Sequence, residues 1–162
     1  MANAEPKFLV DEMLQRLGRW LRAAGYDTLI AQNAQADYYL LRRAIDEDRL
    51  LITKDNELAM QRRAPGTVIL LEGESIDDHA RQLSEQLGID WTHKLFTRCM
   101  VCNTPLIPAS AEQIANMPQM AKQKHAAAYY CKQCNQVFWD GSHAKRMRTH
   151  LSDWQHKYST FV

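Results

Sequence analysis

Lys7-Phe8-Leu9-Val10-Asp11 is the stretch from which the fold can be read. Three apolar residues closed by an acid read as a short, fully buried strand. The next segment, 12–24, changes period: Met13, Leu14, Leu17, Trp20, Leu21 and Ala24 fall at helical spacing. Gln15, Arg16, Arg19 and Arg22 take the rest of the cylinder, and Gly25 supplies the stop. The same alternation then repeats. Asp27–Ile30 reads as a strand, a helix opens at Asp37 with Leu40, Leu41, Ala44 and Ile45 apolar, and Arg49–Thr53 reads as a third strand. A helix is expected from Asp55 to about Arg63, a fourth strand over Thr67–Leu71 after Pro65-Gly66, and a helix from Ile76 to about Gln86 stopped by Gly88. Strands alternating with helices over some 88 residues imply an α/β fold, a parallel sheet with helices on both faces.

All four cysteines lie beyond this region, as Cys99-Met100-Val101-Cys102 and Cys131-Lys132-Gln133-Cys134, with 28 residues between the pairs. This spacing fits a tetrahedral four-cysteine site holding one structural zinc per chain. An asparagine follows each pair, Asn103 and Asn135, and asparagine tolerates the left-handed conformation such turns need. Two disulfides or two redox dithiols are the alternatives. Met1 to Lys7 lacks the order of a secretion signal, which disfavours disulfides. Residues 89–98 read as a linker or an added strand, and Ala111–Asn116 as a short helix inside the insert between the pairs. Tyr129-Tyr130 and Val137-Phe138-Trp139 read as the strands of a ribbon. Gly141 breaks the chain, and Ser142 is the expected N-cap of a last helix reaching about Lys157. Met147, Leu151, Trp154 and Tyr158 form its apolar stripe. His143, Lys145, Arg146, Arg148 and His150 crowd its first turns.

The 162 residues are 46% hydrophobic and 24% charged, which excludes a collagen-like repeat and extended disorder. No apolar run reaches the ~18–20 residues that span a bilayer, so a cytoplasmic protein with no membrane association is expected. The net charge of +1 conceals a division. Residues 1–90 carry 16 acidic and 11 basic side chains, or −5; residues 91–162 carry 3 and 9, or +6. Either the basic half grips an anionic partner, or the two pieces merely differ in surface composition.

Three acids stand where an open parallel sheet gathers function. Asp11 ends the first strand, Asp55 follows the third, and Asp37 opens the helix between the second and third. Carboxylates that converge repel one another, and a hard divalent cation, Mg²⁺ or Mn²⁺, relieves that. Such a site activates water against a phosphodiester. The competing reading is that Asp37 and Asp55 only cap helices. Glu12, Asp27, Glu57 and Glu74 are further candidate ligands or solvated surface acids, and Asp46-Glu47-Asp48 is a solvated turn.

Phe8-Leu9-Val10-Asp11-Glu12-Met13-Leu14, Arg19-Trp20-Leu21-Arg22 and Gly25-Tyr26-Asp27-Thr28 together resemble the opening of the Mut-seven C-terminal RNase family. Leu51-Ile52-Thr53-Lys54-Asp55-Asn56-Glu57-Leu58-Ala59 is similar to its second signature. Arg98-Cys99-Met100-Val101-Cys102-Asn103 and Trp139-Asp140-Gly141-Ser142-His143, with Arg146-Met147, resemble its C-terminal ones. Ala144 stands where an aromatic often follows in the family. The resemblance implies a PIN-like three-layer nuclease domain over 1–90, a zinc ribbon over 91–140 and a basic helix over 141–162. It also implies Asp11, Asp37 and Asp55 as catalytic acids on Mg²⁺ or Mn²⁺, and the four cysteines on zinc. The expected activity is a metal-dependent RNase, with Ser142, His143, Lys145, Arg146 and Arg148 on the RNA and single strands as substrate. A non-catalytic RNA-binding adaptor and a protein-docking module are the rival readings.

Overall fold

The structure is a computed structural model, and it describes residues 4–61, 64–124 and 127–159. Four short strands, β1 (Phe8–Val10), β2 (Thr28–Ile30), β3 (Leu50–Thr53) and β4 (Val68–Leu70), form a parallel sheet in the order β2-β1-β3-β4. All three residues of β1 are buried because both faces are covered. Phe8 and Val10 point with Ile52 into one core, and Leu9 and Leu51 into the other.

The connecting helices divide between those faces. A 3₁₀ turn, Glu12–Leu14, leads into α1 (Gln15–Ala24), and α2 (Asp37–Asp46), α3 (Asn56–Ala59) and α4 (Ile76–Leu87) follow. Leu17 and Leu21 of α1 and Ala80 and Leu83 of α4 join the Phe8 core, while Leu40, Leu41 and Ala44 of α2 and Leu58 of α3 join the Leu9 core. The result is three layers, helix–sheet–helix. Gly25 closes α1 at φ 105°, and a Cβ there would lie 2.4 Å from the Lys94 carbonyl oxygen, so only glycine fits. The segment 89–98 is neither loose nor a strand. Trp91 is fully buried, its indole N–H donating to Ser84 Oγ, and Lys94 and Phe96 donate backbone N–H groups to the end of α1.

Beyond it, β5 (Ile107–Pro108), β6 (Ala128–Cys131) and β7 (Gln136–Trp139) make a small antiparallel sheet beside the cysteines. The insert carries α5 (Ala111–Ala115), closed by a Ser110/Gln113 capping box, and α6 (Gln119–Lys124). The last helix, α7 (Ser142–Tyr158), packs Met147, Leu151 and Trp154 into the Phe8 core.

Several expectations need correction. The helix after Asp55 is one turn long and ends at Met60, since the chain must reverse towards β4; Arg63 lies outside the described residues. No apolar periodicity announces α6, because its Met120 is 71% exposed and the helix has little to bury. The N-cap of α7 is Gly141 and not Ser142, which is the first helical residue and makes no capping bond. A side chain at 141 would press on Trp139, its Cβ 3.2 Å from the indole nitrogen. Tyr158 is only half-buried, with its hydroxyl donating to the Asp77 carbonyl.

A polar clasp fastens the cysteine turn to the sheet. Arg22, only 6% exposed, donates to the carbonyls of Thr28 at the start of β2 and of Met100 and Val101 between the first two cysteines. Asn103, left-handed at φ 75°, accepts from Thr28 N–H at 2.9 Å and donates to Asp27 Oδ1 at 2.7 Å. Arg49 pairs with the same carboxylate at 2.8 Å. No helix among the described residues is long and apolar enough to cross a membrane.

Replacing Asn103 by Ala leaves the buried Thr28 N–H without its acceptor and puts a Cβ-bearing residue without a local hydrogen bond at positive φ. The expected loss is roughly 2–4 kcal/mol, seen as a fall of roughly 5–15 °C in melting temperature. Asn103→Gly should lose less, since it removes the bonds but not the conformational ease. Equal melting of both variants and wild type would show that the clasp contributes nothing.

Candidate functional site

The carboxyl ends of β1 and β3 bring acids together. Asp11 follows β1 directly, and its N–H donates to the Ile52 carbonyl at 3.0 Å, so β3 fixes its backbone. Thr53, the last residue of β3, is fully buried. Its hydroxyl donates to Asp11 Oδ2 at 2.9 Å and accepts from Asp55 N–H at 3.0 Å. One hydroxyl thus ties both acids. Asp55 Oδ1 in turn accepts from the N–H groups of Glu57 and Leu58, at 2.8 and 3.4 Å, and caps α3. The capping reading of Asp55 is correct for one oxygen; the other is not used by the cap.

Asp37 arrives from the other side. The loop after β2 starts with Ala31 N–H on the Val10 carbonyl and passes through left-handed Asn33 and Ala34, at φ 61° and 48°. Glu12 holds it by accepting from Ala34 N–H at 2.9 Å. This returns the first turn of α2, and Asp37 with it, to the acidic end of the sheet. Asp37 caps nothing, since the N-cap is Ala36. Burial, followed by the charges of Asp55, Asp11 and Glu57, raises its carboxyl above the usual carboxylate range. Asp37 thus feels the charges of both Asp55 and Asp11. Among the described residues, Asp11 Oδ1, Asp55 Oδ2 and both Asp37 oxygens accept no hydrogen bond. The acids are more widely spread than the cysteines: among the described residues, only the cysteines form a set of ligand atoms all within 4.8 Å of one another. An all-oxygen donor set with unused lone pairs fits a hard divalent cation that keeps part of its water shell.

The other acids divide. Glu57 faces Asp37 electrostatically. Glu74 pairs with Lys54. Asp27 stands at the opposite, amino end of β2; despite burial, Arg49 and Asn103 hold its carboxyl below the usual range. Thr53 is the residue that spacing did not single out. Its only signal is a hydroxyl at the last position of an apolar strand, where a buried oxygen needs partners.

The cysteine sulfurs fit zinc. Cys99 and Cys134 Sγ are 3.8 Å apart, and Cys102 and Cys131 Sγ 3.4 Å. Zn–S bonds of about 2.3 Å imply tetrahedral edges of about 3.8 Å. Without a cation the thiols cannot all ionise. Cys134 is pushed up to about 12, first by its contact with Cys102 and then by burial. Cys102 is drawn down to about 6, burial being outweighed by hydrogen bonds from Thr104 and then from Cys131 and Cys134. The Arg22 guanidinium, whose own ionisation burial disfavours, is supported by charge at Cys102 and Cys99.

On α7, Ser142, His143, Lys145 and Arg146 are exposed. Arg148 is exposed too, but it pairs with Asp140 at 3.6 Å and lies 5.1 Å over the Phe96 ring.

A family model described as Mut7-C RNAse domain matches residues 6–151, nearly the whole chain. No match was found among curated proteins.

Freshly purified, reduced chain should contain about one zinc, and Cys99→Ser or Cys131→Ser should lose it together with the antiparallel sheet, because structural zinc contributes folding energy directly. Elemental analysis and circular dichroism check this. A zinc-free, fully folded wild type would contradict it.

Proposed function

The chain belongs to the Mut7-C RNAse domain family, and from that membership and the acidic end of its sheet we propose that it hydrolyses RNA phosphodiester bonds with Mg²⁺ or Mn²⁺. The observation that carries this is the Thr53 hydroxyl, which donates to Asp11 Oδ2 and accepts from Asp55 N–H and so holds both acids at the carboxyl ends of β1 and β3. In this reading Asp11, Asp37 and Asp55 hold the cation, through the oxygens their other contacts leave free. When bound, the cation supplies charge neutralisation at the scissile phosphate and a more acidic water. Thr53 is a positioning residue that keeps Asp11 turned inward while the backbone of Asp55 is held. Glu12 positions Asp37 through the loop, and Glu57 is the fourth acid of the site.

The four cysteines hold structural zinc, which leaves no open position for water and takes no part in the reaction. Residues 1–90 form the PIN-like nuclease unit, 91–140 the ribbon and 141–162 the basic helix. Ser142, His143, Lys145, Arg146 and Arg148 contact the RNA backbone, single strands being the substrate and the cytoplasm the compartment. The charge division supports this, because zinc with four thiolates adds −2 and still leaves residues 91–162 near +4.

Asp11→Asn and Asp55→Asn should each lower cleavage of single-stranded RNA in Mn²⁺ by on the order of 100-fold or more, with RNA binding kept. Stability should be equal or higher, since each change removes like-charge repulsion and Asn caps α3 about as well as Asp. The assay places each variant beside wild type, with and without Mn²⁺. Cleavage that survives both substitutions overturns the carboxylate mechanism.

A further inference from the structure

A groove of about 830 Å³ opens between β7, the segment before Cys99 and the first turns of α7. That is the size of a small-molecule site. Phe96, Phe138 and Trp139 form its walls, and Arg98, Arg148 and His143 lie among its lining. It is separate from the acidic cleft: the cysteine turn beside it is fastened to the amino end of β2, whereas the acids stand at the carboxyl ends of β1 and β3.

Two details mark the groove as built. Phe96 adopts φ 56°, a conformation that costs a bulky residue energy, and its N–H is held by the Ala23 carbonyl at 2.8 Å. Its ring stands in the groove wall, with the Arg148 guanidinium 5.1 Å over it. Trp139 is half-buried and lines the groove beside Phe138. The absent Cβ at Gly141 leaves the indole edge uncovered.

We propose that this groove takes one unpaired nucleobase of single-stranded RNA, stacked on Trp139 beside the Arg148–Phe96 pair, with Arg148 and Arg98 toward the adjoining phosphates. The proposal rests on RNA being the substrate and adds a second hold away from the cleavage site. Aromatic walls accept any base face. A duplex keeps its bases inside the stack and cannot offer one. The rim favours a polyanion over an apolar peptide: Arg98 and Arg148 line the groove with Asp140 as the one acid among its lining residues, in a half of the chain that stays near +4 with zinc bound.

The test uses the full, zinc-loaded chain without added Mg²⁺ or Mn²⁺, and fluorescently labelled oligo(U) as a free strand, as an oligo(A) duplex and as an abasic strand. Trp139→Leu should weaken free-strand binding roughly 5- to 150-fold, the range for one stacked base, while Trp139→Phe restores most of it. Duplex and abasic binding should not change. Arg148→Gln, an exposed-surface change that spares the fold, should reduce the slope of log affinity against log salt by about 0.7. Wild-type binding by a folded, zinc-loaded Trp139→Leu chain overturns the proposal, as does an equal loss on the abasic strand, or wild type that binds an apolar peptide and no RNA. Cleavage with unaltered binding in the groove variants removes the groove and leaves the nuclease. Binding lost in Trp139→Leu, without cleavage by wild type once Mn²⁺ is added, removes the nuclease and leaves the groove.

Discussion

Like charge crowded at one end of a parallel sheet is the constraint on which the site depends. Asp11 and Asp55 leave adjacent strands, and Asp37 is folded back towards them by a loop pinned to Glu12. Backbone and hydroxyl contacts hold them there. The Thr53 hydroxyl accepts from one acid's backbone and donates to the other's side chain. Among the described residues no lysine or arginine pairs with the three, while Asp27 at the far end of β2 is paired with Arg49 and Lys54 is paired with Glu74. Among the described residues, that end of the sheet keeps carboxylate oxygens that accept no hydrogen bond, which supports the proposed cation site.

The opposite end of the sheet follows a different electrostatic logic. Buried Arg22 bridges β2 and the Cys99–Cys102 turn, beside a thiolate set that carries net negative charge when metallated. A buried guanidinium is costly alone, but here its hydrogen bonds end on three carbonyls and its charge faces sulfur. Asn103 has two functions there, since the left-handed turn that presents Cys102 also aims its amide at Thr28 and Asp27. The cysteine module is thus keyed to the sheet through polar groups, and α7 is keyed to it through the apolar stripe of Met147, Leu151 and Trp154.

The elements that bury apolar surface were readable in the sequence, because periodicity reports burial. β1 and α4 appear within a residue or two of their expected bounds, α2 opens at Asp37 as expected, α1 starts three residues late behind a 3₁₀ turn, and Gly25 and Gly88 end helices as their conformational freedom requires. What buries little was not readable: α6 lacks an apolar stripe, and α3 stops after one turn because the return to β4 is short. The cysteine cluster could be read from spacing alone, since two-residue gaps already bring the sulfurs of each pair together. The acids could be named, but not how they are held. Thr53, Glu12 and Asn103 act through hydrogen bonds between residues 22 to 75 positions apart, or 42 for Thr53 with Asp11, and no local pattern encodes such pairs.

Mn²⁺ titrated into the isotope-labelled chain, followed by paramagnetic broadening of its amide resonances, tests the central claim without relying on turnover. Broadening should begin at Asp11–Glu12, Asp37–Tyr38 and Thr53–Glu57, and should be removed by Asp11→Asn. Broadening spread evenly over the other acidic surfaces, Asp46–Asp48 and Glu72–Asp78, or none at these three segments, would contradict a cation site at the carboxyl ends of β1 and β3.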